Sequence, residues 1–300
     1  QVRGSCSVWR GLRSSSIEGH ELIPALSPSS GGGCRVFEVE GGVPAPPPYD
    51  PRVIDNALPI LTRDQVRRLD ALAASDLGIP TIILMEHAAL ALSRIALEML
   101  PASASPATIL LLAGPGNNGG DALALARLLH TAGHAPLVAC AAPAAKYSGD
   151  ALTNLTILRN LPVPLIHLPP TDPIPTLEAF LSANATTDAP PALIVDGLLG
   201  TGATTAPRNP IASLIRWTNE HRAAHHTPIL AIDIPTGLDA DTGDPLAPDN
   251  PALIMRATRT LTLGARKPGL LAPAAAPFIG RLAVCDLALP RSLIDRARAE

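Results

Sequence analysis

The stretch Thr108-Ile109-Leu110-Leu111-Leu112-Ala113-Gly114-Pro115-Gly116-Asn117-Asn118-Gly119-Gly120-Asp121 decides the fold. Its apolar run shows no polar alternation, which predicts a strand covered on both faces. Gly114, Gly116 and Gly119 then stand in a G-x-G-x-x-G spacing, and Asp121–Thr131 reads as a helix. Glycines let a backbone approach phosphate closely, and a helix N-terminus favours an anion. An ordinary strand-to-helix turn has the same composition, so the rest of the chain must decide.

Working outward, further apolar runs occur at Pro136–Cys140, Pro164–Leu168, Leu193–Val195, Ile229–Ile232, Thr260–Leu263 and Leu282–Cys285. Helix-like segments lie between most of them: Asp150–Leu161, Thr176–Ser182 and Ile211–Arg222. Such alternation predicts an α/β fold with a mostly parallel sheet covered on both faces. Upstream, Thr62 and Gln65 form a capping box flanked by Leu61 and Val66 as a hydrophobic staple. Val66, Leu69 and Leu72/Ala73 make one apolar face, and a second helix is bounded by Pro80 and Pro101.

Composition excludes several classes. Hydrophobic residues make up 47% and charged ones 16%, so the chain as a whole is not disordered. A net charge of −3 argues against nucleic-acid binding through phosphate neutralisation and against a polybasic membrane anchor. The best candidate for a membrane span, Thr81 to Leu100, carries Glu86, His87, Arg94 and Glu98 and reads as a soluble helix. Cys6, Cys34, Cys140 and Cys285 lack metal-site spacing, which favours inert thiols in a reducing, cytoplasmic setting. Residues 1–52 are Ser-, Gly- and Pro-rich without apolar periodicity and read as a disordered or extension tail. Arg3, Arg10 and Arg13 give that tail a faint transit-peptide character, a minor organellar alternative. Residues 53–300 are expected to form one domain.

Four strands run into polar loops that a parallel sheet would gather at one edge. They are Gly114–Asp121, Asp196–Gly202, Asp233–Asp239 and Gly264–Gly269. Asp196 and Asp233 end apolar runs; either could cap a turn, but two beside a Gly-rich loop suggest a site. Pro235 is expected to stiffen the Asp233 turn, and Gly237 to let the chain turn without obstructing a ligand. Lys267 reads equally as a surface lysine or as a charge aimed at phosphate. Asp239–Asp244 resembles a calcium loop but has Asn250 at its twelfth position, which favours a plain turn. His221, His225 and His226 read as a solvated helix end.

Together, GPGNNGGDALALARLL, VDGLLGTGAT, AIDIPTGLDADTG and GARKPGLL resemble the YjeF N-terminal domain family, with LTRDQVRRLD and GIPTIILMEHAA before them. The resemblance runs from about Leu61 to Leu287 and implies a Rossmann-like three-layer sandwich. Enzymatic members are isomerases, the NAD(P)H-hydrate epimerases. They interconvert the S and R forms of hydrated NADH or NADPH (NADHX, NADPHX), damaged cofactors with a hydroxyl on carbon 6 of the reduced nicotinamide ring. A dehydratase acting on one epimer then repairs both.

The resemblance implies that Asn117, Asn118, Gly119, Gly120 and Asp121 bind the dinucleotide together with Gly200, Thr201, Gly202, Ala203, Thr204, Thr205 and Ala206. It also implies that Asp233 contacts the reacting end and that Asn118, Asp196 and Thr236 hold a potassium ion (K+). On this reading Asp233 is the catalytic acid–base residue, with a pKa raised by its surroundings. The family usually has Ser at 236, Gly at 122 and Asn at 87, where this chain has Thr236, Ala122 and His87. No dehydratase domain stands in the sequence up to Glu300, so the dehydratase is expected as a separate partner or on a longer chain, and a homodimer is allowed. Two alternatives stand: a non-catalytic nucleotide-binding or scaffolding module of the same fold, and an NAD-dependent dehydrogenase. The second lacks the ribose-binding acid expected after its second strand, where Cys140-Ala141-Ala142-Pro143-Ala144-Ala145 stands.

Overall fold

Thr62 opens the first helix as its side chain suggests. Its Oγ1 accepts from the Gln65 amide at 3.4 Å, and its own amide donates to Gln65 Oε1 at 3.0 Å. That box starts α1 (Arg63–Leu77), which Gly78 closes in the left-handed region at φ +64. Helix α2 (Thr81–Met99) follows Pro80. The computed structural model describes residues 59–101, 106–184 and 189–299, all within the unit Pro48–Glu300. The expected tail, with Cys6 and Cys34, lies outside the described residues.

The chain then alternates through β1 (Thr108–Ala113), α3 (Asn117–Thr131), β2 (Ala135–Cys140), α4 (Gly149–Arg159), β3 (Leu165–His167) and α5 (Pro173–Asn184). It continues with β4 (Leu193–Gly197), α6 (Ile211–His225), β5 (Ile229–Ile232) and β6 (Arg259–Leu263). Two one-turn helices, α7 (Pro268–Leu271) and α8 (Ala276–Ile279), lead to β7 (Arg281–Cys285) and α9 (Arg291–Ala299). Among the described residues the strands form one sheet in the order β3-β2-β1-β4-β5-β6-β7. Every pairing is parallel, so the sheet is fully rather than mostly parallel.

The unbroken apolar strands are explained by their two faces. Ile109, Leu111 and Ala113 of β1 pack with Leu92, Ile95, Leu123 and Leu155 from α2, α3 and α4. Leu110 and Leu112 turn the other way, onto Leu177 of α5 and Leu214 and Ile215 of α6. Each such Leu or Ile side chain, removed from water, contributes about 1.5–3 kcal/mol. The result is the three-layer α/β/α sandwich. Cys140 and Cys285 are both buried, and burial pushes the Cys140 thiol up to about 11. No helix among the described residues is long and apolar enough to cross a membrane.

Chain direction across the sheet reverses between β1 and β4. Beyond the carboxyl ends of two such strands their loops diverge and leave a crevice. Helix α1 is drawn over the same edge by the turn after β5. Arg63 Nη2 pairs with Asp239 Oδ2 at 2.6 Å, and the Arg63 amide donates to Asp241 Oδ1 at 2.8 Å. Asp239 Oδ1 accepts from the amides of Asp241 and Thr242 at 2.8 and 3.0 Å. The Asp239–Asp244 segment is therefore a turn that latches α1. Leu69 and Ala73 of α1 also pack with Leu293 and Ala297 of α9.

Candidate active site

A cleft of about 440 Å³ opens at this edge, walled by the loops after β1, β4, β5 and β6 and by α1. The glycines of the first loop have separate tasks. A Cβ on Gly114 would lie 1.9 Å from the Leu198 carbonyl oxygen, and one on Gly119 would lie 1.7 Å from the Gly114 carbonyl oxygen. Both let backbone pack on backbone. Gly116 has open space around it and faces the cleft. Helix α3 begins at Asn117, four residues earlier than the periodicity suggests, so its N-terminus lies among the residues that line the opening.

Asn117, Asn118, Asp121, Gly200, Thr201, Gly202, Ala203 and Asp233 line the cleft. Gly119 and Gly120 are buried behind it, the latter against the Met85 side chain. Thr204, Thr205 and Ala206 are exposed outside it, and His87 is exposed on α2 and is not a lining residue.

Asp196 and Thr236 sit beneath the floor. Asp196 is fully buried; its Oδ1 accepts from the Thr236 hydroxyl at 2.7 Å and its Oδ2 from the Thr236 amide at 2.8 Å. Burial pushes the Asp196 carboxyl up to about 6, against the bonds from Thr236 and Leu198. The Leu199 amide donates to Thr236 Oγ1 at 3.0 Å, and Asn118 Nδ2 donates to the Leu199 carbonyl at 3.1 Å. Asn118 in the first turn of α3, Asp196 near the end of β4 and Thr236 in the turn after β5 thus join in one network. Among the described residues no group of three or more His, Cys, Asp or Glu could hold a metal ion. A cation here would rely on amide, hydroxyl and carbonyl oxygens around the single carboxylate, donors that suit a hard ion.

Asp233 ends β5 at φ +65, a left-handed conformation that costs a non-glycine residue of order 1 kcal/mol or more. Its Oδ1 accepts from the Leu263 amide at 3.1 Å and from Thr262 Oγ1 at 3.2 Å, and pairs with the Lys267 ammonium. Lys267 corrects both readings offered for it. It is fully buried and turns inward, also donating to the Leu263 carbonyl at 2.8 Å and to Thr262 Oγ1 at 3.0 Å. Gly237 turns the chain at φ +102 as expected, but a Cβ there would lie 2.0 Å from the Leu253 carbonyl oxygen, so it packs on backbone behind the turn rather than facing the cleft.

Sequence reasoning missed Asp70 and Arg67, both on α1 and both lining the cleft. The available signal was position: Asp70 falls four residues after Val66, on the side the staple turns inward. Burial pushes the Asp70 carboxyl up to about 6, with Lys267 opposing and Asp233 adding to the rise. Asp121, more deeply buried, is raised well above the carboxylate range, first by burial and then by Asp233 and Asp70. Of the His residues, His221 is half-buried and stacks on Trp217 with centroids 4.8 Å apart, while His225 and His226 are exposed.

Residues 81–269 match the family described as YjeF-related protein N-terminus. The chain belongs to that family. The YjeF-related relatives include the NAD(P)H-hydrate epimerase of Pirellula staleyi, 32% identical over 240 residues that cover 80% of this chain and 97% of that protein. The NAD(P)H-hydrate epimerase of Limosilactobacillus fermentum is 31% identical over 226 residues, 75% and 95% of the two chains. The bifunctional NAD(P)H-hydrate repair enzyme Nnr of Salinibacter ruber is 34% identical over 244 residues, 80% of this chain. This chain spans about two-fifths of that relative's length, the match covering 42% of it. A crystal structure of the yeast protein ynu0 shares the fold, with a TM-score of 0.63 at 22% identity over 81% of this chain and 95% of that one.

Proposed function

We propose that this chain is an NAD(P)H-hydrate epimerase, interconverting the S and R forms of NADHX and NADPHX. One observation carries the reading: a carboxyl group, Asp233, stands at the floor of a cleft whose rim is the amide-rich start of α3. The amides and Arg67, beside Gly202, would receive the diphosphate and leave the nicotinamide ring near Asp233. The epimerases named above match this chain over nearly their whole length, which supports the same reading.

The chemistry follows from the substrate. Carbon 6 carries a hydroxyl and adjoins the ring nitrogen, so it is a carbinolamine. Protonation of that hydroxyl lets water leave as the nitrogen lone pair forms a conjugated iminium. Water returning to the other face and losing a proton inverts the centre. Asp233 is the residue assigned to proton transfer, with Lys267 fixing its position. Asn118, Asp196 and Thr236 would hold K+, which when bound supplies positive charge that ties three substrate-binding loops together. The epimer-specific dehydratase is the partner activity, and the setting assigned to both is the cytoplasm.

The test is direct. An NADHX mixture treated with an epimer-specific dehydratase leaves a resistant fraction. Adding this protein should convert that fraction to NADH at a rate proportional to protein concentration. A resistant fraction unchanged by the protein overturns the assignment.

A further inference from the structure

Inverting carbon 6 requires proton transfer on both faces of the ring, and the cleft is lined by two carboxyls from different elements. Asp233, with Lys267, lines it from the sheet edge, and Asp70 lines it from α1. These two carboxyls are differently equipped. Asp233 already accepts from the Leu263 amide, the Thr262 hydroxyl and the Lys267 ammonium. A carboxylate so supplied with donors is suited to accept a proton in passing or to hold a water. The Asp70 side chain makes no hydrogen bond or ion pair with the described residues, yet it lines the same cleft and is half-buried.

We propose that Asp70 is a second catalytic residue, the acid–base group for the ring face turned toward α1, while Asp233 serves the face turned toward the sheet. The assignment rests on the epimerase reading. In one direction the Asp70 carboxyl gives its proton to the carbon-6 hydroxyl, the C6–O bond breaks, and water departs on the α1 side as the iminium forms. A water on the sheet side then adds to carbon 6 and releases its proton to Asp233. Transfer of that proton back to Asp70 through solvent restores the enzyme, and the reverse epimerisation uses the residues in the opposite order. The partial desolvation that raises Asp70 to about 6 keeps a usable fraction protonated near neutrality.

Its position, like the lack of partners, comes from the tertiary structure. The Arg63–Asp239 and Arg63–Asp241 contacts fix the start of α1, about two turns before Asp70. The charged groups bearing on Asp70 are Lys267 after β6, Asp233 after β5, Asp121 on α3, Asp150 at the start of α4 and Arg67 on α1 itself.

The test is Asp70→Asn in the full chain, read by single-turnover epimerisation, by binding of NADH as a probe and by the pH profile of kcat/KM. The expected result is a rate loss of about 100-fold or more, NADH affinity within about threefold of wild type, and disappearance of the alkaline limb near pH 6. Asp70→Glu should restore part of the rate and shift that limb. Asn and Glu variants both matching the wild-type rate and profile overturn the assignment. If the Asn variant does not fold, the Glu variant decides, because an unmoved limb overturns the proposal. A wild-type protein that leaves the epimer ratio unchanged instead overturns the epimerase reading, which separates the two failures.

Discussion

The ammonium of Lys267 is buried against Oδ1 of Asp233, with the lysine side chain 1% and the aspartate side chain 11% exposed. Neither charge has water to fall back on, so the two residues depend on each other. Lys267→Met should destabilise the fold by about 3–5 kcal/mol, because it strands a buried carboxylate. Combining it with Asp233→Asn should recover part of that loss, since an amide does not need the ammonium. Urea unfolding of the two single variants and the double variant measures the coupling; strictly additive losses would show that the pair is not a unit.

The first loop offers a contrast between two glycines three residues apart. Gly119→Ala places a methyl group 1.7 Å from a backbone oxygen that no rotamer can move aside. The expected cost is about 3 kcal/mol, the upper part of the range for overpacking. Gly116→Ala meets nothing within 4 Å and should change stability by less than about 0.5 kcal/mol. Because Gly116 faces the cleft, its variant should instead weaken dinucleotide binding. Melting curves and NADH titrations of the two variants separate packing from ligand approach.

Local chemistry made much of this fold legible. The Thr62–Gln65 capping box, the bounds of β1 and β5, and the gathering of four polar loops each follow from residues close in sequence. Legibility ended where position depends on distant contacts. Asn117–Gly120 reads as loop because glycine is a poor helix former, yet packing of Gly119 on Gly114 makes it the first turn of α3. Lys267 looks like any lysine in a polar loop until β5 brings Asp233 beside it. Asp70 shares α1 with Arg67, Arg68 and Asp76, and nothing in its neighbourhood marks it. Its place in the cleft comes from a latch between Arg63 and Asp239, 176 positions apart. Helix α9, likewise absent from the sequence reading, is a short Arg-rich segment whose Leu293 and Ala297 gain a partner only when α1 is in place.

Asp233→Asn keeps the shape of the carboxyl but cannot pass a proton, and it leaves the buried Lys267 ammonium without its counter-charge, so urea unfolding of the variant accompanies its rate. Epimerisation should fall by about 100- to 10,000-fold, with NADH binding little changed. The measurement is loss of the dehydratase-resistant fraction over time. Wild-type turnover by the variant would show that Asp233 positions the ring without exchanging protons.

The Asn118–Asp196–Thr236 network predicts a monovalent-ion effect on stability. A ligand that binds only the folded state stabilises by about 2.7 kcal/mol at a concentration 100 times its dissociation constant. Thermal unfolding in potassium chloride should therefore occur at higher temperature than in choline chloride at equal ionic strength. Asp196→Ala should abolish the difference, and Thr236→Ser should keep it. Identical curves in the two salts would remove the cation from the site.

The last prediction concerns pH and folding, and its sign follows from Asp70. Its carboxyl is raised to about 6 from an ordinary value of 3.8, chiefly by burial. The folded chain therefore holds a proton that the unfolded chain has already released between those two values. A group of this kind stabilises the fold fully below the lower value, and the contribution disappears as pH rises through about 6. At pH 7 the folded state must carry an ionised, partly desolvated Asp70 without a partner. Asp70→Asn removes that requirement, so the variant should gain on the wild type as pH rises from 4 to 7. The gain should level off at about 3 kcal/mol or less. Urea unfolding of both proteins at half-unit pH steps gives the difference curve, in which Asp121 and Asp196 contribute to both members and largely cancel. A flat difference would mean that Asp70 is as well solvated in the fold as in the unfolded chain, and a falling one that Lys267 outweighs its burial. A rising difference together with lost epimerisation would show a carboxyl kept at a cost to stability for the chemistry it performs.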